Sequence, residues 1–327
     1  MTSPIGNVVP KFRDTFHMAS KDILRWFPGH MGKGLKQMQQ KLKLVDCIIE
    51  VHDARVPISG HYADFSKTIT GLKPHIFVLN KVDLTDMKFK SSILENLSQK
   101  GLSNILFTNL KDSKCKAVRE LLPLAQRLIK ASNRHNRSEE SSFQIMIIGI
   151  PNVGKSSLIN RLRNTNLRKS NAVQVGAVAG ITRSVLTRVK VAENPDIYIL
   201  DTPGILTPKI DDLHTGLKLA LAGCMQDHLV GPTVLADYLL FWLNNRKKFD
   251  YIEKLGLSEP TDNISYLLTY LAAKLKKTLR IKNYDGKIIV KPDLRSAAEY
   301  FVAMFRKGEF GYLCLDEDLF YFVHSNL

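Results

Sequence analysis

Residues 143–157 read Phe-Gln-Ile-Met-Ile-Ile-Gly-Ile-Pro-Asn-Val-Gly-Lys-Ser-Ser. An apolar run, Phe143 to Ile148, predicts a buried strand, and Ser157 to Arg163 continues as a helix. Between them lies the pattern Gly149-x-x-x-x-Gly154-Lys155-Ser156. Strand, glycine loop and helix in this order form a phosphate cradle. Glycine lets the backbone close around phosphate oxygens. The loop N–H groups then point inward, and the helix N-terminus adds its positive dipole. Asn152, Val153, Gly154, Lys155, Ser156 and Ser157 are therefore expected to line a nucleotide phosphate. Lys155 would reach the β- and γ-phosphates, and Ser156 would ligate Mg²⁺.

Two further motifs say which nucleotide. Asp201-Thr-Pro-Gly204 follows the apolar strand Asp196 to Leu200. Asp201 would hold the Mg²⁺ shell, and the Gly204 N–H would contact the γ-phosphate, so that the peptide swings when that phosphate leaves. Asn80-Lys81-Val82-Asp83 ends the strand His75 to Leu79. The Asp83 carboxylate can accept both N1–H and the exocyclic amine of guanine. Adenine would leave it buried and unpaired, a mismatch worth up to about 10⁴-fold. Lys81 would pack along the base, and Asn80 would tie this loop to the phosphate loop. Thr108 and Asn109, after strand Asn104 to Leu106, would offer N–H groups to the guanine O6. Thr182, between phosphate loop and sensor, is expected to close on Mg²⁺ and the γ-phosphate. GTP or GDP with Mg²⁺ is thus the expected ligand set, with Lys155, Thr182 and Gly204 at the reacting phosphate. An unrelated ATPase would not need Asp83. The base reader precedes the phosphate loop, so the domain is circularly permuted.

The fold class expected is α/β: a permuted P-loop domain with a mainly parallel sheet covered by helices on both faces, followed by an all-helical C-terminal domain. The boundaries are 1–25, an N-terminal extension; 26–208, the nucleotide domain; and 209–327, a helical domain. Besides the strands named, Asp46 to Val51 is a strand. Helices are expected at Leu35 to Leu42, His61 to Thr70, Ser91 to Lys100 and Lys114 to Lys130. The polar stretch 131–142 would join the two termini of the unpermuted domain. From Asp211 onward the pattern predicts helices over 211–224, 232–244, 247–255, 263–282 and 295–307. The extension 1–25 is basic, with Asp14 and Asp22 its only acids. It reads either as a presequence or as a disordered tail.

The chain has 327 residues and a formal charge of +16. Residues 205–327 hold 16 basic and 15 acidic residues, so the excess lies in residues 1–204. A phosphate loop needs one lysine, so a polyanion is the simplest account, with RNA favoured over an acidic protein or a solvated basic face. Lys274, Lys276, Lys277, Arg280 and Lys282 fit one helix face, either as an RNA contact or as snorkelling side chains. The four cysteines are scattered, which suits a reducing compartment. No apolar run is long enough for a transmembrane segment.

These residues resemble the circularly permuted YlqF-like GTPases. The resemblance spans Trp26 to Asp316. It rests on Trp-Phe-Pro-Gly-His-Met at 26–31, His-Asp-Ala-Arg-Val-Pro at 52–57, Gly-Leu-Lys-Leu-Ala-Leu at 216–221, Phe-Arg-Lys-Gly at 305–308 and the permuted motifs. It implies GTP hydrolysis coupled to maturation of the large ribosomal subunit, rRNA contact through the C-terminal domain, and a K⁺ ion held partly by Asn152. The leading segment before Trp26 suits a mitochondrial member in the matrix, peripheral to the inner membrane and monomeric; a cytoplasmic place is the alternative. The resemblance also implies that His30 activates the attacking water, against a mere packing role. Ile205 stands where many GTPases place a water-orienting Gln, so intrinsic turnover is expected to be slow. The alternative function is a GTP-dependent RNA-binding scaffold with little hydrolysis of its own.

Overall fold

Apolar runs covered on both faces build the central sheet. The computed structural model describes residues 12–18, 40–61, 73–134, 137–173, 187–202, 204, 212–282 and 284–320. The chain divides into two compact units. One comprises Asp22–Gln226 with Tyr312–Leu327, the other Met1–Lys21 with Asp227–Gly311. This division does not fall at 208/209. Leu213–Leu221 and residues 312–320 group with the nucleotide motifs.

The first unit holds β1 (Cys47–Asp53), β2 (His75–Asn80), β3 (Ile105–Thr108), β4 (Phe143–Ile148), β5 (Thr187–Ala192) and β6 (Ile197–Asp201) in the order β3-β2-β1-β4-β6-β5. All pairs are parallel except β5 with β6. All seven residues of β1 are buried, as the middle of a two-sided parallel sheet requires. The chain runs outward from β1 through β2 to β3, then returns to place β4 on the other side of β1. This reversal is the topological switch, and ligands bind beyond the strand C-termini there. The phosphate loop follows β4, the base reader follows β2, and Asp201 ends β6. β5, an antiparallel edge strand, has no counterpart in the sequence reading.

Helices α1 (Lys90–Gln99), α2 (Lys116–Lys130), α3 (Lys155–Leu167) and α4 (Leu213–Leu221) complete the unit. α2 buries Val118, Leu121, Leu122, Ala125 and Ile129, a stripe at helical spacing. The described part of the 131–142 connection is pinned, not loose. Arg134 and Arg137 donate to Asp46 at 3.3 and 3.1 Å, and the same carboxylate accepts the Gln144 N–H at 2.8 Å. Asp46 thus holds the junction against the starts of β1 and β4.

The second unit contains α5 (Asp227–Val230), α6 (Pro232–Asn245), α7 (Asp250–Leu255), α8 (Ile264–Lys274), the antiparallel ribbon β7 (Thr278–Lys282) and β8 (Ile288–Pro292), and α9 (Leu294–Lys307). Tyr238, Leu239, Tyr251, Leu271, Phe301 and Phe305 are buried in it. The helix expected over 263–282 ends at Lys274. Thr278, Ile281 and the run Ile288-Ile289-Val290 are β-branched, and Asp285-Gly286 supplies the reversal. The C-terminal helices are therefore interrupted by one ribbon. Residues 12–18 belong to this unit. Arg13 donates to Asp237 (2.8 and 3.2 Å) and Asp262 (3.0 Å), and the buried Phe16 ring lies 5.1 Å from that of Tyr238. The expected helix at His61 to Thr70 lies beyond the described residues except for His61. The Trp26 to Met31 element and most of the Leu35 to Leu42 helix also lie outside them.

Candidate nucleotide site

At the C-terminal edge of the sheet, Asn80 connects three loops. Its Nδ2 donates to the Val153 carbonyl of the phosphate loop at 2.8 Å. Its Oδ1 accepts from Thr108 Oγ1 at 3.3 Å, and its carbonyl accepts the Ala54 N–H at 2.7 Å. Asn80 is 3% exposed, so each of these bonds lies away from competing water. Gly154 has φ +109°, and a Cβ there would collide with Asn80 Nδ2. Glycine is thus required by the neighbouring motif as well as by the phosphate. Gly204 meets the same loop from the other side. A Cβ on it would stand 2.8 Å from Pro151 Cα.

Lys155 is buried, and its Nζ donates to the Gly149 and Ile150 carbonyls at 3.0 and 2.8 Å. Burial lowers its ammonium to about 8, with nearby Asp201 working the other way. Burial raises the Asp201 carboxyl to about 6 against the pull of Lys155. Asp201 Oδ1 is buried without a hydrogen-bond partner. Each group is thus held in an environment that disfavours its charge. A phosphate at Lys155 and a divalent cation at Asp201 would each restore it. The orphaned carboxylate oxygen and the half-buried Ser156 at the start of α3 are the hard oxygen donors Mg²⁺ takes. Val153 is buried, and Ser157 is half-buried on the first turn of α3. Thr202 Oγ1 donates to the Ile147 carbonyl at 2.6 Å, fixing the Asp201 turn on β4. Asn152 is left-handed (φ 59°), with Nδ2 donating to the Gly223 carbonyl at 2.8 Å.

The end of the site formed by the loops after β1 and β2 is ordered by a network the sequence reading did not assign. Lys81 adopts φ 66°, and its Nζ lies 2.8 Å from Asp53 Oδ2. Asp53 is fully buried at the end of β1, paired in register with Asn80. Arg55 grips it through Nε (3.0 Å) and Nη2 (2.7 Å), and the same Nη2 reaches the Ala222 carbonyl at 3.1 Å. Burial alone would raise the Asp53 carboxyl. Arg55 and Lys81 instead hold it well below the usual carboxylate range. The sequence signal for this network is the stretch His-Asp-Ala-Arg-Val-Pro at 52–57, where an acid and a base two residues apart end an apolar strand. Asp83 is half-buried, and its Oδ2 lies 3.0 Å from Lys111 Nζ. Asn109 Oδ1 accepts the Lys111 N–H at 2.9 Å, closing a turn beside Asp83. Residues 313–316 brace this end from below. Leu313 N donates to the Leu84 carbonyl and Leu315 N to that of Arg55, while Asp316 accepts from the Ile58 and Ser59 N–H groups.

The structure therefore gathers Asn80, Lys81, Asp83, Thr108, Asn109, Asn152, Val153, Gly154, Lys155, Ser156, Ser157, Asp201 and Gly204 at one sheet edge. His30 and Thr182 lie outside the described residues.

A family profile described as 50S ribosome-binding GTPase matches residues 144–277. Mitochondrial GTPase 1 of Aedes aegypti is 54% identical over 311 residues, covering 94% of this chain and 98% of that protein. The chain belongs to the mitochondrial GTPase 1 family. Mitochondrial ribosome-associated GTPase 1 of Bos taurus is 47% identical over 94% of this chain and 93% of its own. As a member of this family the protein is a mitochondrial GTPase. The fold matches GNP-bound YlqF from T. maritima at 22% identity and a TM-score of 0.53, over 85% of this chain and 95% of that one.

Proposed function

We propose that this protein is a GTP-hydrolysing switch in assembly of the large subunit of the mitochondrial ribosome, contacting its rRNA and stimulated by the subunit. The observation that carries the nucleotide part is the Asn80–Val153 hydrogen bond, which sets base reader and phosphate loop as one pocket. The ribosomal part is supported by the names of the relatives. Asp83 reads guanine, with Lys81 held along the base by Asp53. Thr108 and Asn109 close the O6 side. Lys155 leaves its own loop carbonyls for the β- and γ-phosphates. Ser156, Asp201 and Thr182 would hold Mg²⁺, which when bound would supply positive charge to the phosphate oxygens. Asn152 offers an amide oxygen suited to K⁺. Gly204, against Pro151, senses the γ-phosphate. His30 is proposed to activate the attacking water. With Ile205 unable to orient water, stimulation comes from the docked subunit. Functionally the GTPase part comprises residues 26–208 together with Leu213–Leu221 and residues 312–320, the ribosome-contacting part is Asp227–Gly311, and the protein acts as a monomer in the matrix, at the inner-membrane surface.

The test is GTP hydrolysis in potassium buffer with and without purified mitochondrial large subunits. Strong stimulation is the expected result. Tight GTP-dependent association without stimulation would leave a scaffold whose activator lies elsewhere, the reading that Ile205 keeps open.

A further inference from the structure

Six of the ten exposed large hydrophobic residues among those described lie in the ribbon: Leu279, Ile281, Tyr284, Ile288, Ile289 and Val290. Every residue of β7 and β8 is exposed. A lone two-stranded ribbon is marginal in water, and this one has both faces largely uncovered. Its base is closed by the Asp293 N–H on the Lys277 carbonyl at 3.0 Å. Residues 274–291 carry seven Lys or Arg against the single acid Asp285. Among the described residues, Arg280, Lys282, Lys287 and Lys291 enter no ion pair. These charges are not used to hold the fold.

The register shows what such a surface fits. Arg280 pairs with Val290 and Lys282 with Ile288, so these four share one face. Leu279 pairs with Lys291 and Ile281 with Ile289 on the other. Cations and aliphatic groups are therefore interleaved on each face. A lipid surface favours the two kinds segregated, with apolar groups down and cations at the rim. On this ribbon, burying Ile288 and Val290 in the acyl region would take Arg280 and Lys282 with them. A nucleic acid offers the matching alternation, with charged phosphates beside the apolar faces of sugars and bases. Tyr284, fully exposed at the turn, is a stacking platform. Arg280 and Lys282, two positions apart on one strand, present charges about 7 Å apart along a backbone.

We infer that the ribbon Thr278–Pro292 is an RNA-docking element, binding phosphates through Arg280, Lys282, Lys287 and Lys291 and bases or sugars through Tyr284, Ile288 and Val290. The identity of that RNA as ribosomal rests on the function proposed above.

The experiment uses the full chain and three forms. One is unchanged. One carries Arg280, Lys282, Lys287 and Lys291 changed to Gln. A charge-matched control carries Lys114, Lys116, Arg119 and Lys130 changed to Gln. Each is titrated with a fluorescein-labelled RNA stem–loop over a range of salt, with phosphatidylcholine vesicles containing phosphatidylglycerol, and with purified mitochondrial large subunits. Basal GTP hydrolysis serves as the check on folding. The ribbon variant is expected to lower the slope of log affinity against log salt by about 3, since each phosphate contact contributes roughly 0.7–0.9. The control should leave it near that of the unchanged chain. Tyr284→Ala should weaken RNA binding with the slope unchanged. Equal losses in ribbon variant and control would overturn the inference, as would loss of vesicle binding with RNA binding intact. If the unchanged chain ignores large subunits, the ribosomal reading fails. If it binds them and the ribbon variant binds as well, only the ribbon assignment fails.

Discussion

The end of β1 and the β7–β8 ribbon both depend on cations, and they use them in opposite ways. Arg55, Lys81 and Lys155 are each fixed by protein oxygens, within 2.7–3.0 Å of Asp53 or of the phosphate-loop carbonyls. Arg280, Lys282, Lys287 and Lys291 stand in solvent. A small ligand with one correct pose needs donors whose positions are settled before it arrives, because each misplaced donor weakens a directional bond. A polyanion is bound largely through counterion release, which needs cations free rather than fixed. Paired charge thus marks the pocket, and unpaired charge the docking surface.

That contrast can be broken most severely at the base reader. Asp83→Asn is expected to reduce the preference for GTP over ATP by up to about 10⁴-fold, measured by competition against a fluorescent GTP analogue. Selectivity that survives the change would remove guanine recognition from this loop. Next in size is Asp53→Ala. Leaving the buried Arg55 and the half-buried Lys81 without their carboxylate should destabilise the fold by about 3–5 kcal/mol in urea denaturation. Lys282→Ala, on the ribbon, should stay within about 0.5 kcal/mol. Comparable losses at the two positions would erase the distinction between the regions.

Acid sharpens it further. His61 faces Glu50, His52, His75 and Lys100, and burial lowers its imidazole to about 4 despite the pull of Glu50. Its folded value lies below the unfolded value of about 6.5. The stability it contributes is therefore complete above about pH 6.5 and is lost as pH falls toward 4. The loss should reach roughly 2–3 kcal/mol, read as the urea midpoint against pH. His61→Phe should flatten that dependence, and a profile with the same slope would assign the acid sensitivity to another group. A smaller effect than that of His61 is expected at Asp201. With its buried Oδ1 unpartnered, Asp201→Asn should raise the melting temperature of the nucleotide-free protein, corresponding to about 1–2 kcal/mol. The same change should weaken Mg²⁺-dependent GTP binding. A lower melting temperature would mean that the carboxylate is already well paired without ligand.

Much of this was legible in the chain. β2 and β6 are apolar runs but for their end residues, β4 is broken only by Gln144 and the first half of β1 is apolar but for Glu50, and their loops carry side chains whose chemistry admits few ligands. The permutation needed only the order of the motifs. The ribbon was missed because Lys274 to Lys282 continues the cation spacing of the helix before it. The competing signals, Asp285-Gly286 and Ile288-Ile289-Val290, lie downstream of where that helix reading ended. The edge strand β5 was passed over as well.

Sequence by itself determined the nucleotide motifs, their permuted order and the parallel sheet that carries them, because those follow from backbone sterics, apolar periodicity and donor–acceptor chemistry within short windows. Tertiary structure alone decided that Asp53 holds Lys81, that Asp46 gathers Arg134 and Arg137 from about 90 residues away, and that Arg13 is clamped by Asp237 and Asp262 more than 200 residues on. Those pairings join side chains with no local period to announce them. Their strength comes from burial, which depends on how the whole chain has folded.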